Sequence, residues 1–235
     1  MKTAVIVAAG LSSRLYPLTK TTPKCLLQVG KEKILRRNLR LLKQHGIEEI
    51  IIVTGYLKHL IEDEVKNEAL TVYNPFYKHC NNMGSLYCTK NYLNNEPFLY
   101  LHGDVVFSET LLQTFLENID ANHFMDLAVD FKETDEEAMK VELNKHNCLI
   151  RSSKEILSHD SKGEWIGLAA IHQPKVLFDE VEQVLVEEHL TVYDTYAFTR
   201  LAQKGRVIKC HSIHEEPWME IDFVEDYEKA RELFQ

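Results

Sequence analysis

The sequence is poor in positive charge: 27 Lys and Arg stand against 36 Asp and Glu, a formal net charge of −9 over 235 residues. Coating a nucleic acid needs clustered cations to neutralise phosphates, so that class of partner is excluded. An anionic small molecule would have to be met by a few local cations. Long apolar runs are missing as well. Residues 1–7 turn apolar at once, but the run is far shorter than the ~20 residues of a membrane span and carries no signal-peptide cleavage pattern. A cytoplasmic protein with no membrane partner is expected. Cys25, Cys80, Cys88, Cys148 and Cys210 contain no C-x-x-C pair, and their spacing suits neither a zinc site nor a disulfide framework. The nine glycines and six prolines gather into no linker, and no repeat or low-complexity tract occurs.

What is present is enough for a core. Hydrophobic residues make up 45% of the chain, sufficient for one sizeable domain. Residues 3–8, 50–53, 70–73 and 98–101 read as buried strands, separated by helical spacing over 34–42, 57–65 and 85–93. This alternation predicts an α/β fold with a doubly wound, mostly parallel sheet whose strand C-terminal ends share one rim. The second half is less regular. Strands are expected at 126–131, 140–143, 165–171 and 207–211, and helices at 174–186, 193–203 and 224–234.

The first chemical signal follows the first strand: Ala8-Ala9-Gly10-Leu11-Ser12-Ser13-Arg14-Leu15, then Pro17 and Pro23-Lys24. Small residues let the backbone approach a ligand, and successive N–H groups in such a turn form an anion-binding nest. Arg14 adds a charged fork, and Lys24 a point charge that can follow a reacting phosphate. An ordinary turn with surface cations accounts for Gly10 or Arg14 singly, but not for the whole string. Neither G-x-x-x-x-G-K-[ST] nor G-x-G-x-x-G occurs, which disfavours a P-loop kinase or a dehydrogenase.

Three further signals follow. Gly103-Asp104 sets a carboxylate at a strand's C-terminal end, a place suited to Mg2+ with phosphate oxygens. Capping of a helix over 108–116 is the plainer role. Trp218-Met219-Glu220-Ile221-Asp222 puts Asp222 at a strand-to-helix junction, where capping is again the alternative. Asn81-Asn82-Met83-Gly84-Ser85-Leu86 offers glycine and amides at a helix start, fit either to read a base edge or to cap. The eleven histidines form no H-x-x-x-H or H-E-x-x-H. They are expected to be structural or surface residues, His102 beside Asp104 excepted.

The loop with Pro23-Lys24 resembles the signature of the sugar-phosphate nucleotidyltransferase superfamily, L-x-A-G-x-G-x-R-L-x-P followed by P-K-x-L. Ser12 replaces the usual second glycine, which a negative φ would tolerate. The resemblance implies a Rossmann-like nucleotidyltransferase fold in one domain: a nucleotide-binding part over about 1–125, a small acceptor-binding insertion over 126–222 and a closing helix over 223–235. It implies that Ala8 to Ser13, Asn82, Gly84, Ser85 and Gly103 bind the nucleotide, and that Asp104 and Asp222 jointly hold Mg2+. The N-N-x-x-S-L form is similar to the phosphocholine, phosphonate and inositol-phosphate cytidylyltransferase branch, which implies CTP. By the same resemblance Lys140 and Lys154 grip the acceptor's phosphate, Glu164 faces its amino or hydroxyl group, and Trp218 lies beside it. A choline acceptor needs an aromatic cage, for which Trp165, Trp218, Tyr193 and Tyr196 are available. The tryptophan that choline-binding members carry near Ala138-Met139 is missing.

The expected reaction is Mg2+-dependent transfer from CTP to a small phosphomonoester or phosphonate (phosphocholine, 2-aminoethylphosphonate or a polyol phosphate), releasing pyrophosphate. The acceptor oxygen is already anionic, so no general base is required. The alternatives are a sugar-1-phosphate nucleotidyltransferase using UTP, GTP or dTTP, and a non-catalytic nucleotide-binding regulatory subunit. A glycosyltransferase would want D-x-D where the chain has Asp104-Val105-Val106. Self-association as a homodimer is left open.

Overall fold

The computed structural model describes residues 1–188 and 190–235. The chain begins with β1 (Thr3–Ala8), a ribbon of β2 (Gln28–Val29) and β3 (Glu32–Lys33), α1 (Ile34–Gln44), β4 (Glu49–Thr54), α2 (Lys58–Val65) and β5 (Leu70–Tyr73). It continues through α3 (Asn82–Tyr87), β6 (Phe98–His102), β7 (Val105–Phe107) and α4 (Glu109–Asn118). Then come β8 (Met125–Asp130), β9 (Lys140–Leu143), β10 (Leu149–Ser152) and β11 (Gly163–Ile171). The chain closes with α5 (Pro174–Glu187), α6 (Asp194–Gln203), β12 (Ile208–Ser212), β13 (Trp218–Glu220) and α7 (Val224–Leu233).

β1 lies between β4 and β6, parallel to both, and β5 adds in parallel beyond β4. Beyond β6 the sense changes. β11 runs antiparallel to β6, β8 and β9, while β12 is parallel to β8. The result is a nine-stranded mixed sheet with a parallel centre. β1 shows why that centre is stable. Ala4 and Ile6 enter the core shared with Leu35 and Leu39 of α1 and Phe115 of α4. Val5 and Val7 enter the opposite core, with Val181 of α5 and Phe198 of α6. A strand covered on both faces needs an unbroken apolar run, and its period of two sends alternate residues to each layer.

A third, smaller core positions the site. Leu15, Leu27, Val29, Ile34, Val106, Ile221, Ala230 and Phe234 pack together. Full burial of a residue such as Leu15 or Ile221 contributes about 1.5–3 kcal/mol. Each neighbours a charged residue, Arg14 or Asp222, and so anchors it.

The unexpected elements are β2, β3, β7 and β10, each of two to four residues. Such short strands carry no readable periodicity. The helix expected over 85–93 is instead α3 followed by a 3-10 turn at Lys90–Tyr92. Among the described residues no helix is long and apolar enough to cross a membrane.

Candidate active site

The C-terminal ends of β1 and β6 open onto a cavity of about 300 Å³. Close approach of these ends depends on Gly103, whose N–H donates to the Val7 carbonyl at 2.9 Å. A Cβ there would stand 2.8 Å from that carbonyl oxygen and 2.9 Å from the Ala8 Cβ. After β1 the chain turns through Ser12 into a 3-10 turn, Ser13–Leu15. Ser12 does not take the negative φ that would tolerate serine: it is left-handed, at φ 52° and ψ 42°. Its carbonyl accepts from Thr19 Oγ1 at 2.7 Å and from the Leu15 N–H at 3.1 Å, which hold the turn.

Lys24 begins a second 3-10 turn, Lys24–Leu26, after Pro23. Its Nζ lies 2.8 Å from Asp104 Oδ2 and 2.8 Å from Asp222 Oδ1. Burial opposes its charge, but the two carboxylates outweigh that and hold the ammonium well above the usual lysine range. Asp104 is likewise held below the usual carboxylate range, because Lys24 and His102 outweigh its burial. The β7–β13 ribbon brings the two aspartates together, pairing Glu220 with Val105. The Ile221 N–H then donates to the Asp104 carbonyl at 3.2 Å. Asp222 is steadied in turn by Asp226, whose carboxylate accepts from the Asp222 and Phe223 N–H groups at 3.2 and 2.8 Å. Arg14 Nη2 reaches Asp222 at 2.7 Å, and its guanidinium lies over the Phe223 ring.

Of the residues singled out from sequence, Ala8, Ala9, Gly10, Ser12, Ser13, Arg14, Lys24, Asn82, Gly103, Asp104, Lys154 and Asp222 line the cavity. Leu11, Gly84, Ser85, Lys140, Glu164 and Trp218 do not. Gly84 packs against Cys80 in a separate cleft, and the buried Ser85 Oγ accepts from Asn74 at 3.0 Å. Lys140 is 3% exposed, and its Nζ donates to the Lys154 carbonyl at 2.9 Å, which corrects its expected grip on an acceptor phosphate. Glu164 pairs with Lys132 at 3.5 Å, and burial raises its pKa. Trp218 donates to Asp130 at 2.8 Å, at the end of the β7–β13 ribbon remote from Glu220. The four rings available for a choline cage do not converge there: Trp165 and Tyr193 line the cavity, Trp218 and Tyr196 do not.

The cavity also takes residues to which sequence reading gave no role, among them Glu137, Met139, Gly167 and Glu220. Glu137 sits between two cations, 3.4 Å from Arg14 and 3.1 Å from Lys154. Gly167, at φ +78°, lies where β11 shifts register against β8, and a Cβ there would meet the His102 ring at 2.9 Å. His102 is buried and hydrogen-bonds to Asp194 at 2.9 Å. Burial works against its charge, but Asp194 and then Asp104 raise its pKa to about 9. Glu220 was visible in the quoted Glu-Ile-Asp string, though without a role. Burial and the nearby Asp104 and Asp222 push its pKa up to about 7.

A family model described as the MobA-like NTP transferase domain matches residues 4–199. The chain belongs to this family. Over 93 residues it is 42% identical to a choline-phosphate cytidylyltransferase of Streptococcus pneumoniae, a match covering 39% of this chain and 41% of that protein. A CTP:phosphoglutamine cytidylyltransferase of Campylobacter jejuni is 24% identical over 251 residues, covering 96% of this chain and 97% of the relative. The structure of an inositol-1-phosphate CTP transferase from T. maritima shares the fold, with a TM-score of 0.82 at 22% identity over 99% of this chain and 96% of that one.

Members of the MobA-like NTP transferase family generally use a divalent metal, and the residues here fit one. Asp104, Glu220 and His102 bring ligating atoms within 4.8 Å of one another, and Asp222 shares Lys24 with Asp104. Asp104, Asp222 and Glu220 together offer carboxylate oxygens, the ligand type that a hard divalent cation takes.

Proposed function

We propose that the protein is a Mg2+-dependent cytidylyltransferase. It joins CTP to a small phosphomonoester or phosphonate and releases pyrophosphate. The observation that carries this reading is Lys24, held 2.8 Å from each of two carboxylates beside a small-residue turn that follows a buried strand. The full-length similarity to a protein named as a CTP:phosphoglutamine cytidylyltransferase supports the choice of nucleotide.

In the proposed reaction an acceptor oxygen attacks the α-phosphorus of CTP in line. The new P–O bond forms as the bond to the β-phosphate bridging oxygen breaks, and pyrophosphate carries away that electron pair. Asp104 and Asp222, with Glu220 beside them, would hold Mg2+, which supplies charge neutralisation at the phosphate oxygens. Lys24 offsets charge that develops on the α-phosphate, and Arg14 with the backbone of residues 8–13 holds the leaving pyrophosphate. Asn82 faces the base. The acceptor oxygen needs no base, so positioning and electrostatics supply the rate.

The opposite wall favours an acceptor that carries an amine as well as a phosphate or phosphonate. Lys154 meets the anion, and Glu137 offers the amine a carboxylate. With two rings rather than a cage, this wall suits an amine that can donate hydrogen bonds, as in 2-aminoethylphosphonate, better than the quaternary ammonium of phosphocholine. A polyol phosphate would leave Glu137 without a cationic partner from the acceptor. The test is pyrophosphate release with each of CTP, UTP, GTP and dTTP against a panel of these acceptors and sugar 1-phosphates. CTP with an amine-bearing acceptor should turn over fastest. Preference for a purine triphosphate, or no turnover with any pair, overturns the proposal.

A further inference from the structure

At the other end of the sheet lies a cluster that the proposed reaction does not use. Asp126, the second residue of β8, is completely buried. Its partners come from separate stretches of chain. His123 Nδ1 and His211 Nε2 both approach the same oxygen, Oδ1, at 2.7 and 2.6 Å. His172 Nε2 meets the other oxygen, Oδ2, at 2.7 Å. β8 and β6 both run antiparallel to β11, and Met125 and Phe98 both pair with Ile171. The cluster therefore lies at the strand ends opposite the cavity.

A buried carboxylate needs a countercharge. Among the described residues the charge partners of Asp126 are these three imidazoles, with no Lys or Arg. An imidazole nitrogen that gives up its proton has a lone pair to offer a metal ion. The nitrogens of His123 and His211 and a carboxylate oxygen of Asp126 lie within 4.8 Å of one another, and the His123 side chain is 23% exposed, which leaves a route from solvent.

We propose that His123, Asp126 and His211 form a site for a divalent transition-metal ion, with His172 orienting the Asp126 carboxylate. Two nitrogens and one oxygen suit Zn2+ and its neighbours rather than Mg2+, which prefers oxygen and water. Tetrahedral ligands about 2.05 Å from Zn2+ stand about 3.3 Å apart. Opening the two short contacts by about 0.7 Å therefore seats the ion in place of the protons they now share. The fourth position faces the His123 side and takes water. His172 has the place of the hydrogen-bonded outer partner that metal-binding carboxylates keep. The site is remote from the cavity, so its role is to tie β8, β12 and the 120–123 turn together.

The test uses untagged, chelator-stripped full-length protein, with Zn2+ titrated in competition with a chromophoric chelator and Co2+ followed by visible absorption. We expect one tight equivalent of Zn2+, unchanged in Asp104→Asn, and an intense Co2+ band of four-coordinate type. His123→Gln and His211→Gln should each weaken Zn2+ binding at least tenfold and abolish that band, with far-UV circular dichroism unchanged. His123 is partly exposed, so its variant separates lost binding from lost folding. The proposal is overturned if no tight equivalent binds, or if binding is abolished by Asp104→Asn but survives both histidine substitutions.

Discussion

The two walls of the cavity were built in different ways, and they differ in what they ask of the sequence. The wall proposed to take the nucleotide, called the nucleotide wall, is made where strands end: residues 8–14 leave β1, and Gly103-Asp104 leave β6. Those residues are placed by their immediate neighbours, while Asp222 is brought in from a distance by the β7–β13 ribbon. The acceptor wall gathers Glu137, Met139, Lys154, Trp165 and Tyr193 from four separate segments. Its charges sit in loops, Glu137 before β9 and Lys154 after β10. A local wall tolerates almost no substitution of its charged centre, whereas the assembled wall divides its work among residues that can be removed singly.

The largest expected effect is on the nucleotide wall. Lys24→Ala should lower kcat by about 10²–10³, the usual cost of removing one preorganised donor from a charge-stabilising site. Pyrophosphate release under saturating CTP and acceptor measures it, with circular dichroism as the folding control. A loss below about fivefold would mean that Lys24 only pairs the aspartates and does not act on the phosphate.

Next in size is the acceptor wall. Lys154→Ala should raise the acceptor KM by about 10- to 100-fold, the range for a charged hydrogen bond worth 1.5–3 kcal/mol. The CTP KM should stay within about twofold. Equal shifts in both constants would erase the division between the walls. Lys140 sharpens the same contrast from inside the protein. Lys140→Met leaves the Lys154 carbonyl without its donor and should cost about 1–3 kcal/mol in urea denaturation, with both KM values unchanged. A rise in acceptor KM without loss of stability would return Lys140 to the cavity.

These two lysines mark where sequence reading stops. The strand at 140–143 was legible, but not which of its faces was buried. Met139 faces the cavity and Lys140 the interior, and Trp165 faces the cavity where Glu164 does not. A shift of one residue exchanges the faces of a strand, and a run buried on both sides carries no alternation to fix the parity. At Ala8, Ala9, Gly10 and Gly103 no such ambiguity arose, because glycine and small residues at strand ends announce a close backbone approach by themselves, whereas Leu11, Gly84 and Ser85 do not line the cavity. The clustered histidines were illegible for a third reason. His123, His172 and His211 are brought together only by pairing of β8 with β11 and β12.

The smallest effect tests whether the nucleotide wall works through backbone or side chain. Ser12 stands at φ 52° where the superfamily signature has glycine, and its side chain makes no capping hydrogen bond. Left-handed backbone costs an L-residue about 1–2 kcal/mol. Glycine removes that strain but gives back about 0.4–1 kcal/mol through the freer unfolded chain. Ser12→Gly should therefore stabilise the protein by about 0.5–1 kcal/mol, read as a higher urea midpoint at unchanged slope. If the turn grips phosphate through N–H groups, the CTP KM should move by less than about threefold, since the donors of residues 10–13 survive the change. A tenfold rise in CTP KM with the stability gain intact would instead make the Ser12 hydroxyl a direct ligand. The departure from glycine would then be a gained contact held at the expense of strain, and the nucleotide wall would depend on a side chain after all.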